Sequence, residues 1–409
     1  MLNKLWLGFF LVAAAASGYR WLVLHDPAVF GALVASIFEM ARLSVEIMVL
    51  LFGTLTLWLG FLGIAERAGL VASLARGLAP LFARLMPGVP RGHPAIGLIT
   101  LNFAANALGL DNAATPIGLR AMRELQSLNN DPQTATNAQI LFLVLNTSAL
   151  TLLPVTLFMY RAQAGAAEPA MVFLPILLAT CASTAAALLS VAACQKLKLY
   201  DPVVLAWLIG IALGLGALMG TLSGMTAAAI SSVSALTGNL VLFLIILLFV
   251  VVGAWRKVPV YETFIEGARE GFDIAKNLLP YLVAMLCAVG VLRASGALDM
   301  LLDAIRWAVH GIGWDERFVD ALPTALVRPF SGSASRAMLL ETISHFGVDS
   351  FPALLSTVMQ GSTETTFYVI AVYFGAVGVT RLRHTVGCAL ISDLAGMLAS
   401  IGVCYWFFG

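Results

Sequence analysis

Nine stretches of this chain are apolar for close to the length that a helix needs to cross a bilayer. They fall near 5–24, 44–64, 138–160, 171–193, 203–222, 237–255, 274–292, 351–377 and 385–408, against a requirement of about 20 residues. So many cannot be buried together in one aqueous core. Charged residues make up only 11% of the 409, against about 25% in soluble domains. The expected fold is therefore an all-α polytopic membrane protein, with the lipid bilayer as its first partner. A formal net charge of +1 gives no reason to expect nucleic acid. The first apolar stretch follows Lys4 in the manner of a secretory signal, but the repeat described next favours a retained first helix.

Two of the stretches carry polar runs at their centres. One reads Gln360-Gly361-Ser362-Thr363-Glu364-Thr365-Thr366 and the other Asn146-Thr147-Ser148-Ala149-Leu150-Thr151. A carboxylate at mid-membrane costs roughly 2.5–3.5 kcal/mol on the lenient insertion scale. Glu364 is thus a residue for which a role is expected. Serine and threonine inside such helices also serve as packing glue, and Thr147 and Thr366 fit that use as well. Asp393 is a second acid inside an apolar stretch, open to use as an ion site, a relay or a structural pair.

The two runs belong to an internal repeat. At an offset of 227, Glu39-x-Ala41-Arg42 matches Glu266-x-Ala268-Arg269, Gly63 matches Gly290 and Gly69 matches Gly296. At 216, Arg120-Ala121-Met122 matches Arg336-Ala337-Met338, and at 214 Ser148 meets Ser362 and Thr151 meets Thr365. Residues 1–200 and 233–409 read as the two repeats. A connector at 201–232, holding the unmatched stretch 203–222, would invert the second against the first. Inverted repeats around a midplane site are a transporter architecture. With the N-terminus inside, 15 of the 23 lysines and arginines fall on the cytoplasmic side, and that is the expected orientation.

Between the spans lie two moderately apolar segments broken by glycine, proline and polar residues. The first break runs from Asn102 through Asn106, Gly109, Asp111, Asn112 and Thr115 to Pro116. Arms of about 14 residues reach only about 20 Å, too short to span. Pro116 suits the first turn of a new helix, and Asn112 or Thr115 could cap it. Asp111 is open to a capping role or to cation binding. The second break reads Arg328-Pro329-Phe330-Ser331-Gly332-Ser333-Ala334-Ser335-Arg336. Its serines and glycine offer hydroxyls and bare amides at a helix N-terminus. Arg328 beside it could pair with Glu364, Asp111 or an anionic substrate. Either two re-entrant hairpins or two ordinary loops between interfacial helices fit these breaks, and their matching places favour hairpins.

These residues carry a resemblance. His93-Pro94-Ala95, Asn112 to Pro116 and Asn146-Thr147-Ser148 resemble spore maturation protein A. Lys257 to Glu262, Arg293-Ala294-Ser295-Gly296, Arg328-Pro329 with Ser331-Gly332-Ser333, and Gly361 to Tyr368 resemble spore maturation protein B. The chain looks like a natural fusion of the two, within the nucleoside recognition or Gate group, which is similar to repeats of concentrative nucleoside transporters. That resemblance implies a bacterial inner membrane and a transport role, without fixing the substrate. Where the family carries glycine, this chain has Asp111 and Ala334.

The expectation is a secondary transporter and not an enzyme, since no nucleophile–base pair, metal cluster or nucleotide-phosphate loop is visible. Asn106, Asn112, Thr115, Asn146, Thr147, Ser148, Thr151, Arg328, Ser331, Gly332, Ser333, Gln360, Ser362 and Thr363 are expected to bind a small polar or nucleoside-like solute. Glu364, with Asp111 or Asp393, would bind Na⁺ or H⁺. No cofactor or resident metal is expected, and a homo-oligomer is. The alternative is a non-transporting scaffold or regulator of envelope or spore-type maturation.

Overall fold

The computed structural model describes residues 2–90, 92–108, 111–148 and 150–409. The side chains at 2–5, 50–51, 111–113, 274–275 and 277–278 lie outside that description, as does Gly109. Among the described residues there are helices and no named strand, with one isolated bridge between Thr134 and Arg381.

The first half runs α1 (Leu2–Val23), α2 (Ala28–Arg67), α3 (Leu70–Leu85), α4 (Pro94–Ala107), α5 (Asp111–Ser127), α6 (Asn137–Ser148), α7 (Val155–Gln163) and α8 (Phe173–Gln195). After α9 (Pro202–Leu222) come α10 (Ala227–Trp255), α11 (Val260–Ala294), α12 (Ala297–Gly311), α13 (Leu322–Val327), α14 (Gly332–Phe346), α15 (Phe351–Ser362), α16 (Thr366–Gly375) and α17 (Thr385–Phe408). Among the described residues, six helices are long and apolar enough to cross a membrane: α1, α2, α8, α9, α10 and α17. A seventh span arises if the end of α11 and α12, bent by 64° at their junction, count as one.

The same local chemistry shapes corresponding joints of the two halves. Gly69 and Gly296 open α3 and α12 with φ of 69° and 80°, a left-handed conformation that glycine adopts without steric cost. An arginine then satisfies the carbonyls left over at the preceding helix end, where a cation is also favoured by the helix dipole. Arg256 donates to the Ala68 carbonyl, and Arg20 donates to the Ala294 carbonyl at 3.2 Å.

Helices that match in the sequence also pack on each other. Along the α2–α11 contact, Gly63 faces Gly267 and Met40 faces Gly290. Rising numbers in one meet falling numbers in the other, so the two run antiparallel. The approach is close enough that a Cβ on Gly267 would collide with the Leu59 carbonyl. Between α8 and α17 the pairing is reciprocal: Ser183 donates to the Ser392 carbonyl and Ser392 donates to the Ser183 carbonyl, at 3.1 and 3.0 Å. Gln195 meets His384 at the other end of this pair, again an antiparallel course.

Three expectations need correction. The stretches 138–160 and 351–377 are not continuous helices: α6 gives way to α7, and α15 to α16, at the polar runs. The first break is shorter than the expected 102–116, because α4 runs to Ala107 and α5 begins at Asp111. Pro116 therefore lies inside that helix instead of opening it. The second break, expected over 328–336, closes early as well, because α14 begins at Gly332 with Ser331 as its cap.

Candidate functional site

Both polar runs sit where a helix ends in the protein interior. In the first half α6 is described to Ser148, and residues 150–154 lie outside helix before α7. In the second half α15 stops at Ser362, and Thr363 to Thr365 lead into α16. Buried helix ends leave carbonyls and amides that need partners. The two breaks supply some of these to each other, since the Glu364 amide donates to the Thr147 carbonyl at 2.8 Å.

The second break is the charged one. Arg328, with 9% of its side chain exposed, lies at the end of α13. Its Nε and Nη2 donate to the Thr363 carbonyl at 2.9 and 2.6 Å, which puts a cation against the carbonyl end of α15. Its Nη2 is also 3.5 Å from Glu364 Oε1. Glu364 stands just ahead of α16, where the helix dipole favours an anion, and accepts from the Thr365 amide at 3.2 Å. Its side chain is 41% exposed, so the carboxylate is not sealed in dry packing. Behind it Thr366 donates to Asp393 Oδ2 at 2.7 Å, across from α16 to α17.

The hairpin-bearing segments reach both breaks. Within the first pair, Asn102 on α4 donates to the Ala114 carbonyl of α5 at 2.7 Å. Asn106 donates to Asn146 Oδ1 at 3.0 Å, and the Leu152 amide donates to the Ala107 carbonyl at 3.2 Å. In the second pair, Ser335 on α14 donates to Gln360 Oε1 at 2.5 Å or to the Thr324 carbonyl at 2.7 Å. The Phe367 amide donates to the Pro329 carbonyl at 2.9 Å. Ser331 caps α14 through the Ala334 amide and lies 3.2 Å from the Ser333 hydroxyl. Gly332 faces Thr365 so closely that a Cβ there would crowd its hydroxyl.

Arg328, Ser331, Gly332, Gln360, Thr363, Glu364 and Asp393 thus gather around the second break, and Asn106 and Asn146 meet at the first. Thr147, Ser148 and Ser362 are buried, and their hydroxyls donate back to carbonyls three residues earlier, at 2.8, 2.9 and 2.9 Å. Only their remaining lone pairs are free for another group. Thr151 lies beside Thr180. The side chains of Asp111 and Asn112 fall outside the described residues.

Two contributors were missed by sequence reasoning. Asn102 clasps the first hairpin, and Tyr373 of α16 reaches Asn102 and Thr115. A Cβ on Gly118 would collide with the Tyr373 ring, so α16 presses directly on α5. The pairing of an Asn and a Gly with an aromatic side chain some 250 positions on leaves no local signal.

A cavity of about 10 Å³ lies beside Arg328, Thr363 and Asp393, room for about one water. A larger one of about 340 Å³ lies elsewhere, near Glu168, Ser231, Ser232 and Asn239. None of the residues singled out in the sequence lines it.

The model of the family described as nucleoside recognition, Gate, matches residues 48–163 and 275–380, together just over half of the chain. One segment covers the first break and the other the second. Spore maturation protein B of Bacillus subtilis (strain 168) is 46% identical over 157 residues, 38% of this chain and 86% of that protein. Spore maturation protein A of the same organism is 38% identical over 145 residues, 36% of this chain and 74% of that protein. No solved structure matches. With two matched segments placed on its two helix breaks, this multi-pass helical chain belongs to the nucleoside recognition (Gate) family.

Proposed function

We propose that this protein is a secondary transporter of a small polar or nucleoside-like solute. It would lie in a bacterial inner membrane with its N-terminus in the cytoplasm and work as a homo-oligomer. The observation that carries the reading is the meeting of two interrupted helices, α6/α7 and α15/α16, each reached by a helical hairpin. Half-helix ends of this kind offer a solute bare amides, carbonyls and fixed partial charges inside a membrane. A purely structural span would keep its helix whole, because unpaired backbone groups in lipid cost several kcal/mol each. The antiparallel packing of α2 on α11 and of α8 on α17 supports two repeats of inverted orientation, with α9 as the connector.

In this reading the α4–α5 and α13–α14 hairpins are re-entrant, and one hairpin-bearing unit moves against the rest. Asn106, Asn146, Ser331, Ser333, Gln360 and Thr363 hold the solute, and Glu364 couples its movement to an ion. The name of the family supports the nucleoside-like class.

A second reading, a non-transporting scaffold, is favoured by one observation. The cavity beside the charged break is only water-sized, and several of the expected hydroxyls are occupied by their own helices. One experiment separates the two. Solutes retained by inverted membrane vesicles with and without the protein are compared by untargeted mass spectrometry, under an imposed ion gradient. Gradient-dependent enrichment of a solute class supports transport. Identical profiles support the scaffold.

A further inference from the structure

Asp393 is the one charged residue of α17, and the packing leaves it half satisfied. The residue is 6% exposed. Oδ2 accepts the Thr366 hydroxyl, while Oδ1 is buried without a hydrogen-bond partner. An ionised carboxylate in that state is costly, because a buried charge needs pairing at each oxygen. Asp393 also lines the cavity of about 10 Å³, together with Arg328, Met359, Ser362, Thr363 and Met397.

Those walls are poor ones for a metal cation. Hard cations take a shell of several oxygen ligands, and two of the lining residues are methionines, whose side chains offer only a soft thioether. The Thr363 carbonyl already accepts two bonds from Arg328. The Arg328 guanidinium faces the same space and repels a second cation. A proton meets none of these objections, since it needs one lone pair and no coordination shell.

The charged groups around Asp393 are few. Arg328 lines its cavity and lies 3.5 Å from Glu364. The helices packed on α17, namely α6, α8, α10, α15 and α16, contain no Asp, Glu, Lys, Arg or His. Their titratable side chains are Cys181 and Cys194 on α8 and Tyr368 and Tyr373 on α16, with Cys388, Cys404 and Tyr405 on α17 itself.

We propose that Asp393 is the proton-carrying residue of this protein, taking up H⁺ on Oδ1 and excluding Na⁺, with Arg328 as the group that senses its charge. This rests on the transport reading for its purpose, though not for its geometry. With the proton on, Asp393 is neutral and Arg328 remains on the Thr363 carbonyl and near Glu364. With the proton released to water, the new carboxylate draws the guanidinium across the shared cavity. The carbonyl end of α15 and Glu364 then lose their cation, and the second break is free to rearrange. The ion that couples transport is thereby named as H⁺, with Asp393 as its carrier and Glu364 as the acid that Arg328 releases when the proton leaves.

Infrared difference spectroscopy on the purified full-length protein, titrated from neutral to acid pH in choline chloride and again in NaCl, tests this. The expected result is a carbonyl-stretch band of a buried carboxylic acid that grows on acidification. It is present in wild type and in Glu364→Gln, lost in Asp393→Asn, and unmoved by Na⁺. Asp393→Glu, which keeps the acid should the asparagine variant not fold, shifts the band in frequency. A band that survives Asp393→Asn, that is unshifted in Asp393→Glu, or that Na⁺ erases at fixed pH overturns the proposal. No solute enters this measurement, so its failure is distinct from a failure to transport.

Discussion

The breaks after α6 and after α15 occupy matching places, yet one is neutral and the other charged. At the first, Asn146 and its neighbours satisfy themselves: Asn146 donates to its own helix at 2.9 Å and accepts from Asn106. At the second, Arg328 shares a small cavity with Asp393 and lies 3.5 Å from Glu364. Leu150 stands where the repeat places the counterpart of Glu364. Both breaks leave carbonyls at a helix end, but only α15 meets them with a full positive charge. The shared backbone geometry reads as the requirement of the fold, and the charge in one half reads as the requirement of function.

The largest effect is expected at the cation that holds the charged break together. Arg328→Ala leaves the Thr363 carbonyl and nearby carboxylates without their partner. Losing the charged donor of two hydrogen bonds to a buried carbonyl costs about 1.5–3 kcal/mol, read as a drop in the thermal midpoint of the purified protein. A midpoint within a degree or two of wild type would erase the energetic contrast between the halves.

At the neutral break, Asn146→Ala removes one acceptor and leaves the Asn106 amide unpaired. The expected cost is about 1–2 kcal/mol, the penalty of an unsatisfied, partly buried group, measured by the same unfolding experiment. A loss as large as that of Arg328→Ala would show that the neutral break bears equal weight. Glu364→Gln is expected to cost less again, under about 1 kcal/mol, because its contact with Arg328 is long, at 3.5 Å, and its side chain is 41% exposed. A cost as large as that of Arg328→Ala would instead tie Glu364 to the stability of the break.

The smallest effect lies outside the breaks, where the loop before α17 meets α8. Burial, and then the charge of Arg383, hold the His384 imidazole below its ordinary pKa. His384 Nε2 lies 3.1 Å from the Gln195 amide nitrogen, a contact suited to a neutral ring accepting a hydrogen bond. Because the folded pKa is depressed, the stability is fully present above the unfolded value near 6.5. It declines as the pH falls below that value and levels off below the folded one. Thermal midpoints measured across this window should fall slightly on acidification, and His384→Gln should flatten the slope.

Much of this was legible in the chain. The constant offsets pointed to matching halves, and the polar runs marked the places where two helices stop. Other features were hidden for physical reasons. Proline fits both the first turn of a helix and a kink further in, so Pro116 could not locate the start of α5. Whether a hydroxyl faces a cavity or its own backbone is a rotamer choice, and Thr147, Ser148 and Ser362 chose the backbone. The bond from Thr366 to Asp393, and Tyr373 against Gly118, depend on how separate helices pack. No periodicity encodes those contacts.

The central claim is that the charged break moves a solute and that the charge is what couples it. The direct measurement is gradient-driven solute uptake into proteoliposomes by wild type and by Glu364→Gln, matched for folded protein, with a mixture of nucleosides and small polar metabolites as probe. The account predicts uptake of at least one class by wild type and its loss in the variant. Equal uptake by both proteins would contradict the role given to Glu364, and uptake by neither would contradict transport itself.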